Sequence, residues 1–348
     1  MTEQKNIEQF KSYVFHKMPE AKNIEIGFVT PIFGGASRQT FRIELKYTLN
    51  DKPNIRRIIL RREFEFGIIE TKTITEWEAY RAFYRTRIPV PKLIWLEEDP
   101  KWLGSPFFVM EEILNCNDAI RLFLEPPYNA LREKIGEEFC RIMGTVPLTD
   151  PLKVGLEGKL EKPDPDKCWK RELDYWESCI DKDQLEPHPV VWAAIRWLRR
   201  NPPTPAQKVV IVHGDMMAGN FLFNEKGEIK AMLDWEMMHM GDPLEDLAWS
   251  LNRVWSWSEP DRLGLMLPRE KAIKLWEETS GFKAEKKDLF WWEVMSSIKS
   301  MAVWISMNKI YATGGNTDAI ICYGGMWAMD LQRRILIQQM RDKESKSL

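Results

Sequence analysis

The stretch VVIVHGDMMAGNFLF (209–223), continued by IKAMLDWEMMHMGDPLEDLAW (229–249), decides how this chain folds. VVIV reads as a β run. FLF and IKAML read as two more, joined by a turn at 224–227. The result is a β hairpin set among helices and preceded by a His-Gly-Asp loop. Asp215 ends that triplet, Asn220 follows five residues later, and Asp234 comes after the hairpin. An aspartate can orient a hydroxyl and accept its proton. An asparagine offers a neutral oxygen and an aspartate an anionic one, both hard ligands suited to magnesium. Any one of the three alone reads as a turn residue; the ordered set does not.

The Asp-to-Asn spacing equals that of the protein-kinase catalytic loop, H-R-D-x-x-x-x-N, and Asp234 stands where the D-F-G aspartate does. HGDMMAGNFLF and LDWEMMHMGDPLEDLAW together resemble the signature of aminoglycoside phosphotransferase-type kinases, close to H-G-D-x-x-x-G-N, D-W-E and G-D-P-x-x-D-L-A. The resemblance covers roughly residues 25–330 and is strongest over 205–250. It implies that Asp215 is the catalytic base and that Asn220 and Asp234 hold Mg2+. The nucleotide would be ATP, with GTP as the alternative. Asp246 is similar to the kinase aspartate that binds the catalytic-loop backbone. Asp242 before Pro243 suits a helix N-cap. His213 reads as a buried strut of the loop, and Glu236 is a candidate for water-mediated help at the metal.

Upstream, residues 5–17 have helical spacing. Strand-like runs follow at 24–30, 39–47, 55–62, 93–96 and 106–111, with one amphipathic helix at 74–85. Gly34 and Gly35 form a turn whose backbone can approach phosphate, beside Ser37 and Arg38. Arg38 departs from the family's small polar residue and points either to phosphate or to solvent. In IILRRE (58–63), where the kinase strand carries its phosphate-binding lysine, the resemblance favours Arg61 over Arg62, and alternation puts Arg62 on the other face. Its partner on the following helix is Glu76 or Glu78, and the distance to Pro89-Val90-Pro91 favours Glu76. PFFVMEEIL (106–114) resembles the strand entering the hinge, with Met110 by the adenine and backbone groups from Glu111 to Ile113 at its edge.

Beyond 117 the chain is largely helical, with helices expected at 127–146, 167–182, 188–200, 243–257, 268–280, 284–312 and 324–342. The expected fold is therefore α+β, protein-kinase-like and two-lobed. An N-lobe (1–113) holds an antiparallel sheet with one main helix. A mostly helical C-lobe (114–348) carries the catalytic hairpin. Charged residues make up 29% of the chain and the formal net charge is −2, which gives no reason to expect nucleic acid or an anionic membrane as partner. Five scattered cysteines read as a reduced, cytoplasmic protein.

The resemblance implies a hydroxylated small molecule as acceptor. Antibiotic-binding members need carboxylates for a polyamine. Here Glu172, Asp174, Glu177, Glu259 and Asp261 are scattered, and the C-terminus RDKESKSL reads as a frayed polar tail. Tryptophans 169, 176, 255, 257, 291, 292 and 304 suit a helical core, or an aromatic-walled site for an apolar or acyl substrate. The pattern is most similar to kinase-like domains attached to acyl-CoA dehydrogenases, which points to hydroxyacyl-type substrates. The alternatives are an aminoglycoside kinase and, in another class, a catalytically silent nucleotide-binding pseudokinase.

Overall fold

Alternation along two strands organises the N-terminal part. In β3 (Lys52–Glu63), Ile58 and Leu60 bury on one side of the sheet and Ile59 on the other; β5 (Phe107–Glu111) separates Phe107 and Val109 from Phe108 and Met110 in the same way. Successive side chains of a strand point to opposite faces, so both faces are apolar and both need cover. α1 (Gln4–Lys17) supplies Phe10, Tyr13 and Val14 to the first face. α2 (Thr73–Phe83) supplies Ala79, Tyr80 and Phe83 to the second. The sheet therefore carries α1 as well as the one main helix expected of it. With β1 (Lys22–Ile32), β2 (Arg38–Leu49) and β4 (Leu93–Glu97), its order is β1-β2-β3-β5-β4, antiparallel throughout. This computed structural model describes residues 4–32, 37–63, 67 and 71–346. The expected phosphate turn at Gly34 and Gly35 lies outside the described residues.

The rest is mainly helical: α3 (Arg132–Thr145), α4 (Cys168–Asp183), α5 (Pro189–Arg200), α6 (Leu244–Ser250), α7 (Arg269–Ser280), α8 (Lys286–Ala312), α9 (Ala319–Tyr323) and α10 (Met329–Lys346). α8 is apolar on nearly every side and runs through the centre, packed by α4, α5, α6 and α10. A helix apolar all round belongs in a core. No helix among the described residues is long and apolar enough to cross a membrane.

Several boundaries differ from expectation. The helix expected from 127 begins at Arg132, after a separate turn at Tyr128–Ala130. The helix expected over 243–257 stops at Ser250, because the Asn252 side chain accepts from the Val254 amide and starts a new turn, Arg253–Ser256. The helix expected over 324–342 starts at Met329, following α9 and a π-helical turn at Gly324–Ala328. A side chain at Gly325 would meet the Asn308 backbone at 2.8 Å, so this turn lies directly on α8. The single β island is two small sheets. β7 (Val210–Val212) pairs with β10 (His239–Gly241), while β8 (Phe221–Asn224) and β9 (Ile229–Met232) form the hairpin and pair with β6 (Cys116–Asn117).

Candidate active site

The loop after β7 turns sharply at Gly214, where φ is +85° and any Cβ would collide with the Met237 carbonyl. Only glycine accepts that combination without strain. Asp246, on α6, receives the amides of His213 (2.8 Å) and Gly214 (3.0 Å) and so fixes the turn from below. Burial still pushes its carboxyl up to about 6. His213 is fully buried, its Nε2 2.9 Å from the Leu233 carbonyl. Burial, working against that contact, takes its pKa down to about 4, so it stays neutral and acts as a strut. Asp242 accepts from the Leu244 amide at 2.9 Å and starts α6.

Asp215 is held at both oxygens. Trp249 Nε1 donates to Oδ1 at 2.7 Å and Asn220 Nδ2 donates to Oδ2 at 2.7 Å. Burial first, then the negative charge of Asp234, push the Asp215 carboxyl up to about 7, against the Lys299 ammonium and those two donors. Asp234 has a left-handed backbone (φ 63°), and its amide donates to the Tyr80 hydroxyl of α2 at 3.1 Å. Asp215, Asn220 and Asp234 line one cavity of about 420 Å3.

Asp234 joins a buried charge network. Arg61 bonds its Oδ1 at 2.5 Å and pairs with Glu76 at 3.3 Å. Arg62 points to the opposite face and bonds Gln39 and the Leu103 carbonyl. Glu78, the rejected partner, binds Arg81 and Lys159. Arg38, only 4% exposed, faces inward, pairing with Glu76 at 3.1 Å and with Glu236 at 3.3 Å; the solvent-facing option is excluded. Glu236 also takes hydrogen bonds from the Ser37 and Thr71 hydroxyls, so it ties the start of β2 to the turn after Asp234. Burial, opposed by Arg61, raises Glu76 to about 7, with Asp234 and Glu236 adding to the rise. Neither the Glu76 oxygens nor the Arg38 and Arg61 Nε atoms have an aligned hydrogen bond, so charge rather than geometry holds them. Met110 is buried on the α2 face of β5, and Glu111 pairs with Arg56 at 2.9 Å. The Glu111 amide donates to the Lys92 carbonyl and is therefore committed within the protein. Met110, Glu111 and Ile113 do not line the cavity that holds Asp215.

The donor set fits a hard divalent cation. Asn220 and Asp234 supply side-chain oxygens to the same cavity, and the negative charge of Asp234 helps raise the Asp215 carboxyl beside it, an effect that a cation would offset. Sequence reading missed Lys299 and Trp249. Lys299 is a lone charge in the apolar middle of α8, a visible anomaly whose meaning depends on what packs against that helix.

A sheet-rich part bearing the Arg61–Glu76 pair, stacked on a helical part bearing the Asp215 loop, defines the protein-kinase-like fold of small-molecule phosphotransferases. Residues 29–282 match the family described as APH, phosphotransferase enzyme family, and the chain belongs to that family. Among solved structures, a Ralstonia eutropha protein provisionally named an aminoglycoside phosphotransferase superposes with a TM-score of 0.73 at 20% identity, covering 96% of this chain and 98% of the other. Aminoglycoside phosphotransferase APH(4)-Ia with ADP and hygromycin B gives 0.55 at 13% identity, over 94% and 98%. Those likenesses establish the fold. Over 178 residues, 50% of this chain, the sequence is 29% identical to acyl-CoA dehydrogenase family member 10 of Mus musculus, and it spans only 16% of that protein.

Proposed function

We propose that the chain is an ATP- and magnesium-dependent kinase, working in the cytoplasm, that phosphorylates a hydroxyl on an apolar, acyl-type small molecule. The observation that carries this is the shared cavity, lined by Asp215, Asn220 and Asp234 together with Trp249, Trp255, Trp257, Trp304, Tyr323 and Trp327. In the proposed reaction Asp215 accepts the hydrogen bond of the acceptor hydroxyl, aims its oxygen in line and takes its proton as transfer proceeds. Phosphoryl transfer has a loose transition state, so positioning and charge neutralisation dominate. Arg61, held by Glu76, would swing from Asp234 to the phosphates, where its planar fork can bind two oxygens. Asn220 and Asp234 would hold magnesium, which neutralises charge on the nucleotide phosphates. The aromatic walls exclude water that would otherwise compete with the acceptor.

A polycationic antibiotic finds little here. Among the described residues, the acids lining the cavity are Asp215, Asp234 and Glu236. The scattered acids do not line it: Glu259 pairs with Arg132 and Arg262, Asp174 and Glu177 with Arg199, and Glu172 with His239, while Asp261 is exposed at the surface, 3.9 Å from Arg253. Likeness to a protein named for acyl-CoA dehydrogenase supports a hydroxyacyl acceptor. The ion pair between Arg61 and Asp234 is the one observation favouring a catalytically silent module, since it engages the carboxylate needed by the cation.

The test is transfer of labelled phosphate from ATP with magnesium to a panel of hydroxyacyl compounds and aminoglycosides. We expect product from the former and little from the latter. Asp215→Asn should abolish transfer and leave ATP affinity nearly intact. Faster turnover on aminoglycosides would reverse the substrate assignment, tight ATP binding without any product would favour the silent module, and an active Asp215→Asn enzyme would remove the base.

A further inference from the structure

Lys299 is the only charged residue of α8 between Glu293 and Lys309, and it is 92% buried, its residual exposure being 8%. Its ammonium donates to the carbonyl of Gly214, the residue before the candidate base. It lies 4.6 Å from the ring centroid of Trp249 and 5.3 Å from that of Trp176. Among the described residues it forms no ion pair. Trp249 is the residue whose indole N–H donates to Asp215 Oδ1. A cation on the face of an indole is attracted by the ring's electron density. It draws that density away from the nitrogen, and so makes the N–H a stronger donor, as linked polar contacts polarise one another.

We infer that Lys299 is a positioning residue for phosphoryl transfer, acting on Asp215 through two routes. One is the Gly214 carbonyl, which sets the backbone of the loop. The other is the Trp249 ring, which sets the hydrogen bond to the carboxylate. The three contributing elements are far apart in sequence: β7 and its loop, α6, and α8. Lys299 joins them without a direct ion pair among the described residues, while the charges of Asp215, Glu172 and Asp246 act on it from a longer range; a buried ammonium held this way is costly. This inference rests on the phosphotransferase reading for its catalytic part and on geometry alone for the contact between Lys299 and Trp249.

The experiment uses the full chain with indole-15N tryptophan, comparing wild type with Lys299→Met, Lys299→Arg, Trp249→Phe and the Met/Phe double variant. The Trp249 N–H resonance is identified by its loss in Trp249→Phe. It should move upfield in Lys299→Met, toward a weaker hydrogen bond, and return in Lys299→Arg. On an accepted substrate, Lys299→Met should lose about tenfold or more in kcat with KM for ATP unchanged, Lys299→Arg should recover most of it, and the double variant should be no slower than the slower single one. An unmoved resonance, an unchanged kcat, or losses that simply multiply would overturn the inference. Should Lys299→Met fail to fold, Lys299→Gln carries the same readouts. A wild type without transfer would sink the phosphotransferase reading, while the resonance shift would still decide whether Lys299 acts on Trp249.

Discussion

At the scale of single residues, charge burial dominates this protein. Arg38 and Arg61 share Glu76, and the same carboxylate cluster reaches Asp234 and Glu236. A second cluster surrounds His239. Its Nε2 lies 2.9 Å from Glu245 on α6 and 3.4 Å from Glu172 on α4, and its Nδ1 lies 2.9 Å from the Met237 carbonyl. With acceptors at both nitrogens the ring is held as imidazolium. Against the pull of burial, Glu172 and Glu245 lift its pKa to about 9. A raised folded-state pKa contributes stability that is complete below the unfolded value, about 6.5, and is lost as pH rises through 9. His239→Gln should therefore be less stable than wild type near pH 6 by up to roughly 3 kcal/mol, and the gap should narrow by pH 9.5. Thermal melts across that range measure it; a gap independent of pH would show that His239 acts by packing alone. The choice of Arg61 over Arg62 could be read from strand alternation and family pattern together. Arg38 could not be placed, because nothing local says whether a strand-end arginine meets carboxylates from α2 and from the turn after Asp234.

At the scale of elements, α2 is the part that connects the two halves. Phe83 stacks on Trp235 with centroids 4.2 Å apart, and Trp235 in turn packs against His213 at 4.3 Å. Tyr80 bonds the Asp234 amide, and Glu76 reaches Arg61. One helix face therefore sets the sheet's arginine and the turn at Asp234 together. Phe83→Ala should cost about 3–5 kcal/mol by opening a buried cavity, read by urea unfolding. A cost under about 1 kcal/mol would mean the stack is incidental. The helix itself was visible in the apolar spacing of 74–85. The boundaries of other helices were not: Asn252 stops α6 by capping a new turn, and Gly324 and Gly325 sit in a π-helical turn packed directly on α8, where a side chain would collide. Helical periodicity survives such interruptions, so the pattern alone overruns them.

At the scale of the whole molecule, the cavity spans the Asp215 loop and the aromatic wall contributed by residues 249–257, α8 and the α9 region. Trp304 is largely buried and packs edge-on to Trp255 at 6.1 Å. Trp304→Ala should raise KM for an acyl-type acceptor by about tenfold or more, with KM for ATP unchanged; equal rises in both would place the wall outside the acceptor site. What the chain determined by itself is the set 213–249, because the spacing of Asp215, Asn220 and Asp234 is dictated by a local loop and hairpin, and because strand alternation and helical spacing follow from nearest neighbours. What only the tertiary structure decided is who meets that set: Arg38 turning inward, Trp249 and Lys299 converging on Asp215, and tryptophans from distant helices forming one wall. Such contacts join residues far apart in the chain, as Arg38 meets Glu236, and nothing in local sequence encodes a meeting that depends on how whole elements pack.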